Sequence, residues 1–534
     1  CVLSKDLYTV NNNDVINNNL RIVGKILKTY NGKDYFAFRG IPYAKPPTGE
    51  RRFKDPEPYG KWNGLLDARK DGNECAQPSK LSNSTFSEDC LILNVFTKSM
   101  QNGNKPVLVY IHGGAYKFGS GSSLVHGPQY LLDEEIVLVT FNYRLGPFGF
   151  LSSDSKDATG NFAFKDQVLV LKWVRDNIKH FGGNSDLVTL IGHSAGALSA
   201  TLHMVSPMSK NLFHRLIALS GSATHHFKAQ NFYWTQKLAE LVQCPENDGQ
   251  EMVQCLRGRP LKEIIEACVK FDENRLADLE WNVEIEKDFG QDRFITKDPS
   301  ILYKNEEFSK IPVLIGITKD EMANQAYKFL LNSKLVAELN ENFDLLAPQY
   351  FGYNFSNMEE SKNISYHLRD FYFKNQKIGF ETETNLGNLF SDALIVHGVH
   401  RFVQLASQYI DVYFFRLDYR GRYTCSSPRE NGDPFYIDHV DILLYLFEYP
   451  NCAPEFKRED PEYLIMKKFI KFVINFAESG NPNGDKNKGD ELYWVPSKKG
   501  NIKTYYIDEI SKIDGPPFQD RLTLWDELFP ITEK

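Results

Sequence analysis

The feature that most constrains this chain is a set of short, continuously apolar segments separated by stretches with helical spacing. They are Pro106–Ile111, Ile136–Phe141, Leu187–Ile191, Leu216–Ser220, Pro312–Ile317 and Val412–Leu417. A strand with one wet face alternates apolar and polar side chains, and these do not, so both of their faces must be covered. The helical patterns between them supply the cover, and strands joined through helices run parallel. The expected fold class is α/β: a large, mostly parallel sheet flanked by helices. Two helical insertions, between the strands near 220 and 312 and from about 323 to 408, can fold over one end of the sheet. Ligand chemistry in such folds gathers at the carboxyl ends of the strands, which makes the insertions natural pocket walls.

No long Gly/Ser/Pro tract and no internal repeat divides the 534 residues, so residues 1–534 are expected to form one domain. The runs Asn11–Asn13 and Asn17–Asn19 read as turns or a frayed lead-in, and 481–489 as a polar surface loop. A net charge of -7, with Lys and Arg scattered, gives no basic footprint and argues against a nucleic-acid partner. The longest apolar runs, such as Ile136–Phe141 and Ile442–Phe447, are far too short to span a membrane. The chain begins at Cys1 rather than Met, as expected of a removed signal peptide or a trimmed chain.

The eight cysteines fall at 1, 75, 90, 244, 255, 268, 425 and 452. None forms C-x-x-C, which argues against zinc or redox chemistry. The two close pairs, 75 with 90 and 244 with 255, favour disulfides closing short surface loops. Sequons at Asn83, Asn354 and Asn363 permit glycosylation on a secretory route. A secreted, disulfide-bonded protein is expected.

The chemistry begins at Gly192-His193-Ser194-Ala195-Gly196, which follows the strand and precedes the helical pattern Ala197–Val205. Side chains at the two glycine positions would collide where strand meets helix, so the stretch reads as a nucleophile elbow exposing Ser194. A serine hydroxyl needs a base to take its proton and an acid to orient that base. His397 and His400 lie inside a helical pattern and read as packing residues. His439, in the polar turn Tyr436–Asp441, is the better base. The strand ending at Ile317 leads into Asp320 and Glu321, and chemistry alone does not choose between these adjacent acids. Acyl transfer also needs N–H donors for an oxyanion; the small residues of His112-Gly113-Gly114-Ala115, with the N–H of Ala195, fit that need.

With these residues in place, the chain resembles the type-B carboxylesterase and cholinesterase family of α/β-hydrolases along nearly its whole length. The likeness rests on Phe38–Ala44, Ser87–Leu91, Tyr110–Ala115, Asn142–Gly149, Gly160-Asn161 and Lys165–Gln167. The resemblance implies a serine esterase without metal or organic cofactor, whose triad is Ser194, Glu321 and His439. It implies an oxyanion hole of Gly114, Ala115 and Ala195 beside Gly113, and an acyl-side wall with Phe227 and Trp281. It implies disulfides Cys75–Cys90 and Cys244–Cys255, and buried ion pairs of Glu88 with Arg39 and of Asp166 with Arg144. Cys425 and Cys452 flank the histidine turn and are candidates to pair; Cys1 and Cys268 have no assigned partner.

Two departures bear on substrate. His193 stands where most relatives have glutamate, and it is expected to point away from the serine oxygen toward Ser220 or an ordered water. The segment Ala76–Asp89 lacks the tryptophan with which cholinesterases stack a quaternary ammonium. The glutamine expected before the serine of a juvenile-hormone esterase is also absent. These features point to uncharged small-molecule esters with short or medium acyl groups and hydrophobic alcohols, of xenobiotic, odorant or pheromone type. The alternatives are a catalytically idle adhesion or binding protein on the same fold, and a triacylglycerol lipase.

Overall fold

The structure is a computed structural model that describes residues 14–78, 85–101, 103–272, 280–353, 357–374, 376–426, 436–484 and 492–532. Cys1, Asn11–Asn13, Asn83, Asn354 and most of the 481–489 loop therefore lie outside the described residues.

The principal sheet has thirteen strands among the described residues. In chain order its long strands are β1 Asp14–Asn17, β2 Ile22–Lys28, β3 Asp34–Pro42, β4 Ile92–Thr97, β5 Lys105–Ile111 and β6 Val137–Phe141. There follow β7 Gly183–His193, β8 Arg215–Leu219, β9 Val313–Thr318, β10 Val412–Leu417, β11 Thr504–Ile507 and β12 Lys512–Asp514. They lie side by side as β1-β2-β3-β4-β6-β5-β7-β8-β9-β10-β11-β12, with the two-residue strand Leu66–Asp67 paired to β2. From β6 to β11 every neighbour is parallel, and all six apolar segments read from the sequence fall in this block. The edges β1 to β4 and β12 are antiparallel.

Both faces of the parallel block are covered, as continuous apolar strands require. On β5, Val107, Val109 and Ile111 join one core with Phe164 and Leu171 of α1 (Phe162–Asn177) and Leu202 of α2 (Ala195–Val205). The alternate residues Leu108 and Tyr110 join a second core with Phe469, Ile470 and Val473 of α3 (Pro461–Ser479). The insertion from about 323 to 408 is helical as expected, and Phe329, Leu368 and Phe390 build a third cluster with Trp525.

The asparagine lead-in differs in part from expectation. Asn17 Oδ1 accepts the N–H groups of Asn19 at 3.1 Å and Leu20 at 3.3 Å, which makes the expected turn. The residues on either side are not frayed: they pair as the antiparallel hairpin β1–β2. Polar edge strands carry little apolar pattern, so the local sequence shows only their turn.

Among the described residues three disulfides close: Cys75–Cys90, Cys244–Cys255 and Cys425–Cys452, the last enclosing the histidine turn. The Arg144–Asp166 pair is present and buried, with Nη2 to Oδ1 at 2.7 Å and Nε to Oδ2 at 2.8 Å. Glu88 does not pair with Arg39. It binds Arg52, whose Nε donates at 2.6 Å and whose Nη1 donates to the carbonyls of Arg257 and Arg259. Arg52 thus sits between the first disulfide loop and the second, where its fan of donors meets one carboxylate and several carbonyls. Arg39, on β3, binds Asp71 at 3.0 Å.

Candidate active site

The order β6-β5-β7 contains a reversal: from β5 the chain steps to one side for β6 and returns to the other side for β7. A crevice opens at the carboxyl ends of strands that flank such a switch. β5 ends at Ile111 and runs into His112–Ala115, while β7 ends at His193 and runs into Ser194. In register, Gly192 lies opposite Ile111 and His193 opposite Leu219. Topology therefore places the glycine loop beside the serine.

Ser194 is partly exposed and has φ 57° and ψ -124°, a conformation costly for a residue with a side chain. It is held by its N–H to Leu219 O at 2.8 Å, and its carbonyl accepts Leu198 N–H at 2.9 Å to start α2. A methyl group on Gly192 would run into the carbonyl of Gly196, and one on Gly196 into that of Ile111. Those overlaps explain both glycines of the elbow.

The oxyanion candidates are built by the same logic. Gly114 has φ +111°, and Ala115 and Tyr116 follow with φ 51° and 60°. The Gly114 carbonyl accepts from Lys117 and Phe118 N–H, at 2.9 and 3.1 Å, and that of Tyr116 from Gly146 N–H at 2.7 Å. Among the described residues the N–H groups of Gly114, Ala115 and Ala195 have no protein acceptor. Gly113 packs against the nucleophile: a methyl group there would lie 2.9 Å from Ser194 Cβ. The loop is braced from behind by His112, whose ring stacks on Tyr143 with centroids 4.3 Å apart. Gln77 braces it from the first disulfide loop, donating to Gly119 O at 3.1 Å and accepting Gly119 N–H at 3.0 Å.

The structure separates the two adjacent acids. Glu321, fully buried, accepts His439 Nδ1–H at 2.5 Å through Oε2 and Thr318 N–H at 2.8 Å through Oε1. Asp320 accepts Ile437 N–H at 3.1 Å instead, and burial raises its carboxyl above the usual range. It anchors the histidine turn rather than the histidine. The main chain of His439 donates to Glu321 O at 3.1 Å, and its Nε2 has no partner among the described residues. An imidazole so oriented carries its Nδ1 proton and presents an Nε2 lone pair, the state of a base waiting for a hydroxyl.

His193 does not reach Ser220. Its Nε2 lies 2.9 Å from the carbonyl oxygen of His439, and the two rings are 4.7 Å apart. Burial, reinforced by the neighbouring imidazole, holds His193 well below the ordinary histidine range, so it is neutral. Ser220 is fully buried and its Oγ has no partner among the described residues. His397 and His400 are buried inside the helix His397–Ala406, as a packing role predicts.

Trp281 is buried and its indole nitrogen faces Gly146. It lines an apolar cavity with Leu145, Phe148 and Phe271. Next to it, Glu280 pairs with Lys117 at 3.4 Å, tying this wall to the oxyanion loop. Phe227 stacks on His225 at 3.5 Å and lines a cavity of about 1230 Å³ that Glu280 also borders. Sequence reasoning missed Gln77 and the Lys117–Glu280 pair, which act through contacts remote in the chain, and Asp441, which accepts the N–H groups of Cys425 and Asp438 at 2.9 Å and braces the histidine turn.

A model of the carboxylesterase family matches residues 13–525. This chain belongs to the carboxylesterase family. Its relatives include a juvenile hormone esterase of Tribolium castaneum, 34% identical over 490 residues that cover 87% of this chain and 83% of that protein. Esterase E4 of Myzus persicae is 35% identical over 516 residues, 92% of this chain and 90% of the relative. The crystal structure of juvenile hormone esterase from Manduca sexta, with OTFP covalently attached, superposes with a TM-score of 0.85 at 28% identity. That match covers 96% of this chain and 98% of the other. The fold is that of the α/β-hydrolases, and this carboxylesterase is a serine-type carboxylic ester hydrolase. No described helix is long and apolar enough to cross a membrane.

Proposed function

We propose that Ser194, His439 and Glu321 are the catalytic triad of a secreted esterase acting on uncharged carboxylic esters. His439 Nε2 takes the hydroxyl proton as Ser194 Oγ attacks the ester carbonyl, and the oxyanion is held by the N–H groups of Gly114, Ala115 and Ala195. The imidazolium then gives its proton to the departing alcohol, leaving an acyl-serine. A water molecule, deprotonated by His439, attacks that acyl group and releases the acid. Glu321 fixes the imidazole and balances its transient charge. Gly113 leaves room for the acyl carbon beside Ser194, and Trp281 and Phe227 are the proposed apolar contacts of the substrate.

The observation that carries this reading is the oriented imidazole: Nδ1 on a buried Glu321 at 2.5 Å, with Nε2 unpartnered. A preference for uncharged alcohols follows from the carboxylates around it. Glu321 is engaged by His439, Asp438 by Ser426 and Glu280 by Lys117, while His193 is neutral. The single-domain reading of 1–534 rests on the shared sheet and its two continuous faces. Secretion and glycosylation are supported by the three disulfides and by Asn363, exposed on the helix Met358–Phe373.

Stoichiometric labelling of Ser194 by an organophosphate, lost in Ser194→Ala together with turnover of a short aryl ester, is the expected result. Full turnover by Ser194→Ala would overturn it. A panel varying acyl length and alcohol bulk separately, with a choline ester included, tests the substrate class; a preference for the choline ester would refute it.

A further inference from the structure

We infer that His193 is a positioning residue that sets the nucleophile-to-base geometry by holding the main chain of His439; this rests on the triad proposed above. The argument starts from what a carbonyl oxygen can do. It only accepts, so the contact of 2.9 Å to His439 O requires a proton on His193 Nε2. That fixes the tautomer. Nδ1 then carries the lone pair and faces the oxyanion loop, where a methyl group on Gly113 would lie 3.0 Å from it. His193 is 4% exposed and kept neutral by burial, so the donor persists across the working pH range.

Glu321 holds His439 as well: side chain at 2.5 Å and main-chain N–H at 3.1 Å, both from the turn after β9. Neither bond refers to the serine. The His193 bond does, because His193 is the covalent neighbour of Ser194 and the last residue of β7. Among the described residues this hydrogen bond joins the nucleophile strand to the histidine turn, so it sets how far Nε2 stands from Oγ.

Residue chemistry makes the position selective. A glutamate here has no proton to offer and would meet the His439 carbonyl acceptor to acceptor. As an anion at this distance from the ring, it would also stabilise the imidazolium and raise the pKa of the base. A glutamine can still donate. His193 therefore gives a neutral tether where a carboxylate would give a counter-charge.

The test compares His193→Ala, His193→Gln and His193→Glu with the parent and with Ser194→Ala, using an uncharged aryl ester. His193→Ala is expected to lower kcat about tenfold with KM nearly unchanged, the loss of one hydrogen bond acting on geometry. His193→Gln should recover most of that loss, and His193→Glu should shift the acid limb of kcat/KM upward by about one unit or more. Parental kcat and an unmoved acid limb in all three variants, with Ser194→Ala inactive, would overturn the role of His193 while sparing the triad. Equal losses in the alanine and glutamine variants, with matching drops in thermal midpoint, would reduce the residue to packing and also overturn it. Turnover by Ser194→Ala would instead overturn the triad itself.

Discussion

Neutralising the buried acid by Glu321→Gln tests the site most directly, because the structure sets both its geometry and its size. Glu321 Oε1 accepts Thr318 N–H at 2.8 Å and Oε2 accepts His439 Nδ1–H at 2.5 Å. A glutamine must keep its oxygen on Thr318, whose N–H can only donate, so its NH₂ turns toward the imidazole. Nδ1 then has to accept, the proton moves to Nε2, and the ring can no longer take the proton of Ser194. The charge is lost as well. A carboxylate and an imidazolium with centres about 4 Å apart attract by about 4 kcal/mol at an effective dielectric of 20, which is about three decades in rate. The expected result is a fall in kcat of about 10³-fold or more, with a nearly unchanged thermal midpoint and a matching fall in the rate of organophosphate labelling. Asp320→Asn, which touches the turn and not the ring, should lose far less. Refutation would be a Glu321→Gln enzyme within about fivefold of the parent, or an Asp320→Asn enzyme that is the more damaged of the two.

Other outcomes follow from named contacts. Gly196→Ala pushes a methyl group into the Ile111 carbonyl and should cost several kcal/mol, about 3 or more, so soluble and fully active protein would contradict the elbow packing. Cys425→Ser with Cys452→Ser opens a loop with a sequence separation of 27, worth about 3–4 kcal/mol by chain entropy, and should lower the thermal midpoint; an unchanged midpoint counts against it. Asp441 is pushed up to about 7, chiefly by burial and then by Asp438. Its folded pKa exceeds its unfolded value, so its contribution is full below about pH 4 and is lost as pH rises through 7. The stability of the parent should therefore fall relative to Asp441→Asn as pH rises from about 4 to 8, by up to about 4 kcal/mol, and parallel stability curves would exclude this assignment.

Much of the fold is legible in the chain because burial on both faces writes itself locally. Val107 to Ile111 must each be apolar whichever core they enter, and the strand was readable before its neighbours were known. The antiparallel edge was not, since β1 is four residues long with polar Asp14 and Asn17 at its ends, and an asparagine turn dominates its pattern. The elbow was legible for a steric reason confined to five residues. Local chemistry did not choose the acid, and only the family resemblance pointed to Glu321: Asp320 and Glu321 are adjacent and chemically alike, and the turn after β9 sends one to Ile437 and the other to His439. Arg39 failed as a partner for Glu88 for the same cause, because an ion pair is chosen by which arginine the fold brings near, here Arg52.

The sequence by itself determined the layer architecture, the nucleophile elbow and the small-residue loop that can free its N–H groups, because each follows from periodicity or from space around a few neighbouring atoms. Tertiary structure decided which acid orients His439, what His193 touches, and how the Gln77 and Lys117–Glu280 braces reach the oxyanion loop. His193 and His439 are 246 residues apart, and no local rule fixes the direction of a side chain across such a distance. The order β6-β5-β7 does, by opening the crevice in which they meet.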